Sequence, residues 1–204
     1  MKSSFKNRTY NFLQRYKNRL LFKFDTYIMY SKSWLQDFYL GNGCKFMGVA
    51  NFNVGNGGSI RIGDNCIFIS LETENRIGLS HRCVVTASPY DEEKGCNILI
   101  GNNCGFSGTS IWCFSKIVIG NNVRCGANTL IMDGDAHFDD PRTSPPKPII
   151  IKDNVFLGAN VVVKKGVTIG KNSVIGMNSI VTKDIPENSI AVGNPCKVIK
   201  RITL

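Results

Sequence analysis

Two histidines stand among 204 residues, and their surroundings differ. His137 closes the run Met132-Asp133-Gly134-Asp135-Ala136-His137 and is followed by Phe138, Asp139 and Asp140. Imidazole titrates near neutral pH, so it can take a proton from a hydroxyl as that hydroxyl attacks. Asp135 lies two residues earlier, and on a strand it would face the same side. Its carboxylate could then hold the second ring nitrogen, as a carboxylate does in catalytic triads. Asp133, Asp139 and Asp140 are rival orienters. The residues alone leave two readings open: a general base, or a loop histidine hydrogen-bonded locally. His81, between Ser80 and Arg82 at a predicted corner, reads as a solvated residue. No G-x-S-x-G elbow is present and no cysteine adjoins a histidine, so a covalent nucleophile is not indicated. The eight cysteines include no C-x-x-C pair, and no metal site is expected.

The elements that must position His137 show in a repeat of six. Ile151, Leu157, Val163, Ile169, Ile175 and Val181 are all aliphatic at that interval. Small or medium residues, Val155, Val161, Val167, Ser173 and Ser179, sit two before the last five. A helix repeats near 3.6 and a simple strand at 2, so this is neither. It predicts short strands separated by corners and stacked as a solenoid, an all-β fold. Three sixes make one coil, which places Leu157 on Ile175 and Val163 on Val181. Earlier hexads run through Ile62 and Phe68, Leu79 and Val85, Ile100, Phe106 and Trp112, then Ile119, Cys125 and Ile131. The next step lands on His137, where the pattern stops. HFDDPRTSPPKP (137–148) holds four prolines and no apolar period, so it reads as a loop thrown out of the coil. Pro186 ends the solenoid, and Asn194-Pro195 reads as the start of a short terminal helix.

The stretches GANVVVKKGVTIGKNSVIGMNSIVTKDIP (Gly158 to Pro186) and AVGNPCKVIKRI (Ala191 to Ile202) resemble the hexapeptide-repeat acyltransferases. The resemblance spans roughly residues 60–202. It implies a left-handed parallel β-helix, although parallel crossovers are otherwise right-handed. It further implies acetyl-CoA as co-substrate, a homotrimer with active sites between neighbours, and direct transfer without an acyl-enzyme. His137 matches the place of the family's catalytic base, just before the loop, with Asp135 as its candidate partner. Gly158, Ala159, Gly176, Met177, Thr182, Lys183, Lys197 and Lys200 match positions that contact the coenzyme. Met177 departs from the smaller residue usual at its place. Ser107, Ser110 and Trp112 could reach a saccharide acceptor, but Trp112 falls on an inward hexad position, so core packing is its expected role. The γ-class carbonic anhydrases share such a coil but need three histidines on zinc, which this chain lacks. The activity implied is O-acetyl transfer to a saccharide hydroxyl of a surface polysaccharide or its precursor. An amino-sugar N-acyltransferase and a non-catalytic scaffold are the alternatives.

Charge and composition bound the rest. The net charge is +10, and residues 1–40 carry eight Lys/Arg against Asp25 and Asp37. Leu13, Tyr16, Leu20, Leu21, Phe24, Tyr27 and Ile28 recur there at helical spacing. The expected division is a basic amphipathic arm over 1–45, a β-helix over 46–186 with a loop at 137–149, and a tail over 187–204. The arm is expected to cap the coil, with peripheral contact to a membrane as the sharper alternative. No nucleic-acid module is recognisable. The chain shows no signal peptide and no run long enough to span a bilayer, so a cytoplasmic protein with buried, reduced thiols is expected.

Overall fold

The computed structural model describes residues 20–36 and 38–203. The expected helix over residues 1–19 lies outside them. The coil is a three-sided prism of short parallel strands, with sheets of six, eight and six strands. One strand of each turn falls on each face. A turn visits the first face (as at Lys116–Ile119), the second (Arg124–Cys125) and the third (Leu130–Met132) before climbing to the next. The hexad register holds: Leu157 pairs with Ile175, Val163 with Val181, and Ile151 with Ile169. All six are at most 1% exposed.

On the second face the stacked inward residues are Phe46, Phe68, Phe106, Cys125, Leu157, Ile175 and Ala191. Phe46 lies on Phe68 and Phe68 on Phe106, with ring centroids 5.0 and 4.9 Å apart. All eight cysteines are buried and unpaired. Three of them form a column in which each Sγ donates to a carbonyl of the next turn. Cys44 reaches Gly63 at 3.2 Å, Cys66 reaches Gly101 at 3.2 Å, and Cys104 reaches Gly120 at 3.1 Å. The hydrogen bond with Cys104 and burial push the Cys66 thiol up to about 12.

The corners are asparagines. Asn122, Asn154, Asn172 and Asn188 all hold φ between 53° and 58°, the left-handed region that Asn tolerates. Their side-chain amides hand one hydrogen bond up the stack, at 3.1, 3.0 and 2.8 Å.

Both ends of the prism are covered. Residues 20–35 form a helix that lies over the first turn. Asp25 accepts the Gly48 N–H at 2.9 Å, and Thr26 accepts that of Phe46 at 3.0 Å. Tyr30 donates to the Gly41 carbonyl at 2.6 Å and accepts from the Cys44 N–H at 3.1 Å. An edge strand left bare would be a template for another chain, and these side chains occupy its donors. The first strand of the coil begins at Phe38, inside the stretch expected to be the arm.

The far end differs from expectation. No helix follows Pro195. Lys197–Arg201 is a strand, antiparallel to Ser189–Val192, beyond a turn with a cis Asn194–Pro195 bond and Gly193 at φ 102°. A hairpin strand can pair with the backbone of the last turn, whereas a helix cannot. No helix of the described residues is long and apolar enough to cross a membrane.

Candidate active site

The long insertion leaves the third face after Leu130–Met132 and rejoins the first at Ile149–Ile151, so it spans 133–148. Its root is pinned by Asp133, which is fully buried. That carboxylate accepts the N–H groups of Phe114, Ser115 and Lys116 at 2.7, 2.9 and 2.8 Å. The Asp133 carbonyl accepts the Lys147 N–H at 2.9 Å, which joins entry to exit. Gly134 is required here, because a Cβ would stand 2.6 Å from the Phe114 ring. Ala136 sits at φ 63°, uncommon for a residue with a side chain, directly before His137. The His137 carbonyl accepts Thr143 Oγ1 at 2.9 Å and the Asp140 N–H at 3.2 Å. The backbone of the histidine is therefore fixed while its ring is exposed.

Three of the four candidate orienters, Asp133, Asp135 and Asp140, are employed elsewhere. Asp135 carries a salt bridge to Lys165 and a second to Lys164 at 3.7 Å. Lys165 also donates to the Ser144 carbonyl at 2.7 Å, so it ties the coil to both limbs of the loop. Its hydrogen bond holds the Asp135 carboxyl below the usual carboxylate range. Asp140 is lowered likewise by Arg142, which bonds it through Nε and Nη2. Asp133 is a structural anchor. Asp135 is thus a latch residue in this conformation rather than the partner of the His137 ring. The two-residue spacing argument assumed a strand, and 135–137 is not one. His81 is exposed, with Nδ1 2.8 Å from the Arg82 carbonyl.

Trp112 corrects another expectation. The inward residues are Phe106 and then Ile111, five apart, because the corner between them is one residue shorter than the corner between their partners Cys125 and Ile131. The slip turns Trp112 outward, 39% exposed, in register with Met132 of the next turn. Its ring lies 4.9 Å from Phe114, Phe114 lies 4.9 Å from Phe138, and Phe138 lies 4.4 Å from Tyr90. An aromatic wall therefore starts at the residue next to His137. Beside it opens a cleft of about 330 Å³ bounded by Tyr90, Lys94, Asn97, Phe114, Pro145 and Pro146. Sequence reasoning missed Phe138, Phe114 and Tyr90. Phe138 was visible as the neighbour of His137, but the other two needed the register slip and the fold.

The candidate donor residues sit at another corner. Gly126, Gly158 and Gly176 stack where the second face turns into the third. A Cβ on Gly126 would meet the Ala159 N at 2.7 Å, and one on Gly158 the Met177 N at 2.6 Å. Ala159 and Met177 therefore lie on one edge, as the eighteen-residue spacing predicted. Ala159 is half-buried and Met177 is 67% exposed. Ser107 and Ser110, both half-buried, flank the same corner one turn below Gly126. Thr182 and Lys183 are exposed just after Ile180–Val181, where the third face turns back into the first. That is the corner of His137. Lys197 and Lys200 are exposed on the terminal strand of the second face. His137 and the glycine-lined edge thus stand at opposite ends of one face of one chain.

Comparison with known proteins agrees with this architecture. Residues 148–183 match the model of the hexapeptide repeat of succinyl-transferase. The galactoside O-acetyltransferase of Escherichia coli is 45% identical over 114 residues, 53% of this chain and 56% of that enzyme. Among solved structures, a galactoside acetyltransferase in complex with coenzyme A superposes with a TM-score of 0.51 at 27% identity, over 84% of this chain and 68% of that one. The polySia-specific acetyltransferase NeuO superposes with a TM-score of 0.57 at 25% identity, over 82% and 88%. The chain is thus similar to hexapeptide-repeat acetyltransferases over this region, and its prism is a parallel β-helix. It spans less than two thirds of the length of the curated relatives it matches first.

Proposed function

We propose that the protein is an acetyl-CoA-dependent O-acetyltransferase that acts on a saccharide hydroxyl of a surface polysaccharide or its precursor, as a homotrimer. The observation that carries this reading is the split of the machinery between two corners. His137 and the aromatic cleft occupy one. The glycine-backed edge at Ala159 and Met177, with Ser107 and Ser110 below it, occupies the other. Packing three copies about the coil axis brings one corner of each against the other corner of its neighbour. The relatives that transfer acetyl groups to galactosides and to polySia support the choice of acceptor.

The residues present fit the proposed co-substrate. The glycine column admits no side chain, so the backbone edge stays open to an extended arm bearing amides. Lys183, Lys197 and Lys200 are exposed point charges suited to phosphates. Acetyl-CoA supplies the activated acyl group. The exposed ring of Trp112 and the half-buried ring of Phe138 offer flat apolar surface to the CH face of a sugar, and the polar groups of Lys94 and Asn97 line the cleft beside them. The His137 imidazole accepts the acceptor's hydroxyl proton as the oxygen attacks the thioester carbonyl. The C–S bond then breaks, and the same proton passes from the ring to the leaving thiolate. Site of action is the cytoplasm, at the inner face of a membrane if the N-terminal arm docks there.

The test is His137→Ala, assayed for acetyl transfer to a panel of hydroxyl-only and amine-bearing sugars with mass detection. Transfer to the hydroxyl sugars should fall by about 10²–10⁴-fold while coenzyme binding by calorimetry is kept. Turnover near wild type would overturn the assignment of the base. Acylation of amines alone would overturn the O-transfer reading.

A further inference from the structure

The helix over residues 20–35 is amphipathic with its apolar side turned outward. Leu20, Phe24, Tyr27, Trp34 and Leu35 are exposed by 52, 61, 71, 85 and 71%. At 100° per residue these five fall within one side of the helix, and Leu21, 41% exposed, borders them. The opposite side carries Asp25, Thr26, Met29 and Tyr30, which cap the first turn of the coil. The helix is therefore fastened from behind, and its outward side has no partner among the described residues.

The charges around that face have one sign. Asp25 is the only acidic residue within 20–36, and its carboxylate is turned inward to the Gly48 N–H. Lys23 and Lys32 border the apolar stripe. Upstream in the chain stand Lys2, Lys6, Arg8, Arg15, Lys17 and Arg19, with no acid among residues 1–19. Tyr27 and Trp34 combine an apolar ring with a polar tip, as suits the boundary between headgroups and acyl chains. Over the described residues the helix is not long and apolar enough to cross a bilayer.

We propose that this face docks the protein onto an anionic lipid membrane, with the helix lying in the plane of the headgroups. The helix caps the end of the prism with its other side, so docking through the outward face stands the coil upright and leaves the corners on its sides open. In a trimer about the coil axis all three caps point the same way and bind the surface together. The inference is independent of the acetyl-transfer reading, because it concerns the end of the coil and not its corners.

The test uses the full chain with vesicles of phosphatidylcholine alone and of phosphatidylcholine with phosphatidylglycerol. Cosedimentation should require the anionic lipid and weaken at high salt. The emission of Trp34, isolated as the difference between wild type and Trp34→Phe, should shift to the blue on binding. Phe24→Ser/Trp34→Ser should lower the partition coefficient by roughly tenfold or more, with an unchanged melting temperature and unchanged transfer to a soluble sugar. Lys23→Glu/Lys32→Glu should reduce binding to anionic vesicles and abolish its salt dependence in part. Wild-type protein that stays in the supernatant, or a serine variant that binds as wild type does, overturns the proposal. So does a serine variant that changes the mass of the assembly while vesicles leave wild type unbound, for then the face belongs to a second copy of the chain.

Discussion

Complementation between two inactive variants tests the split site most directly. His137→Ala removes the base from one corner. Ala159→Glu places a bulky anion on the donor edge at the other. Ala159 is half-buried, and its carbonyl accepts the Asn178 N–H at 2.9 Å, a bond that the substitution leaves alone. Each variant should be inactive when pure. Coexpressed in equal amounts and assembled at random, they form interfaces that draw a base from one copy and a donor edge from the next. Each half is intact in one case of two, so about a quarter of the interfaces carry both. Tandem tagging removes the two pure trimers and leaves one complete interface in three, so acetyl transfer per chain, measured by mass on the mixed trimers, should recover to roughly a third of wild type by the same counting. If the site lay within a single chain, no chain in the mixture would be complete. Recovery at background would refute the shared site, and so would a monomeric mass for the active protein.

Lys165→Met should free the limbs of the His137 loop and lower kcat by about ten- to a hundredfold with little change in the KM for acetyl-CoA, because the base is misplaced and not removed. The Asp135 carboxyl is held low by Lys165, so the latch is fully present above the ordinary carboxylate value of about 3.9 and is lost as pH falls through the depressed one. Proteolysis within 138–148 should accordingly stay flat from neutral pH to about 5 and rise only below about 4. Gly158→Ala drives a Cβ to 2.6 Å from the Met177 N, which is backbone and cannot swing away. It should cost about 1–3 kcal/mol, read as a melting temperature several degrees lower, whereas Ala159→Gly should change little.

Fold and site were legible in unequal measure. The hexads from Ile151 to Val181 specify the coil because each inward residue is set by one corner and one short strand, with nothing inserted. The same rule fails at Phe106, where a corner one residue shorter than the next turn's shortens the step and turns Trp112 from core to surface. A period cannot report a slip that occurs in a corner. The terminal hairpin was hidden for a different reason. Asn194-Pro195 fits both a helix start and a tight turn, and the choice is made by the open edge of Ser189–Val192. The loop that carries His137 was visible from its prolines, but the partners of Asp135 were not. Lys164 and Lys165 are one turn of coil away, thirty residues along the chain in the case of Lys165. Only the stacking brings them to the loop.

The thiol column has a consequence for an enzyme of the proposed kind. A thioester is exposed to attack by any thiolate that reaches it, and this chain carries eight thiols of its own. All eight are buried, which keeps them from such a reagent; hydrogen bonding and burial also push the Cys44, Cys66 and Cys125 thiols up, whereas Cys96 and Cys104 are lowered and depend on burial alone. Self-acylation by transthioesterification is thereby suppressed, so cysteine can serve this scaffold as inert filler beside a reagent that would otherwise modify it.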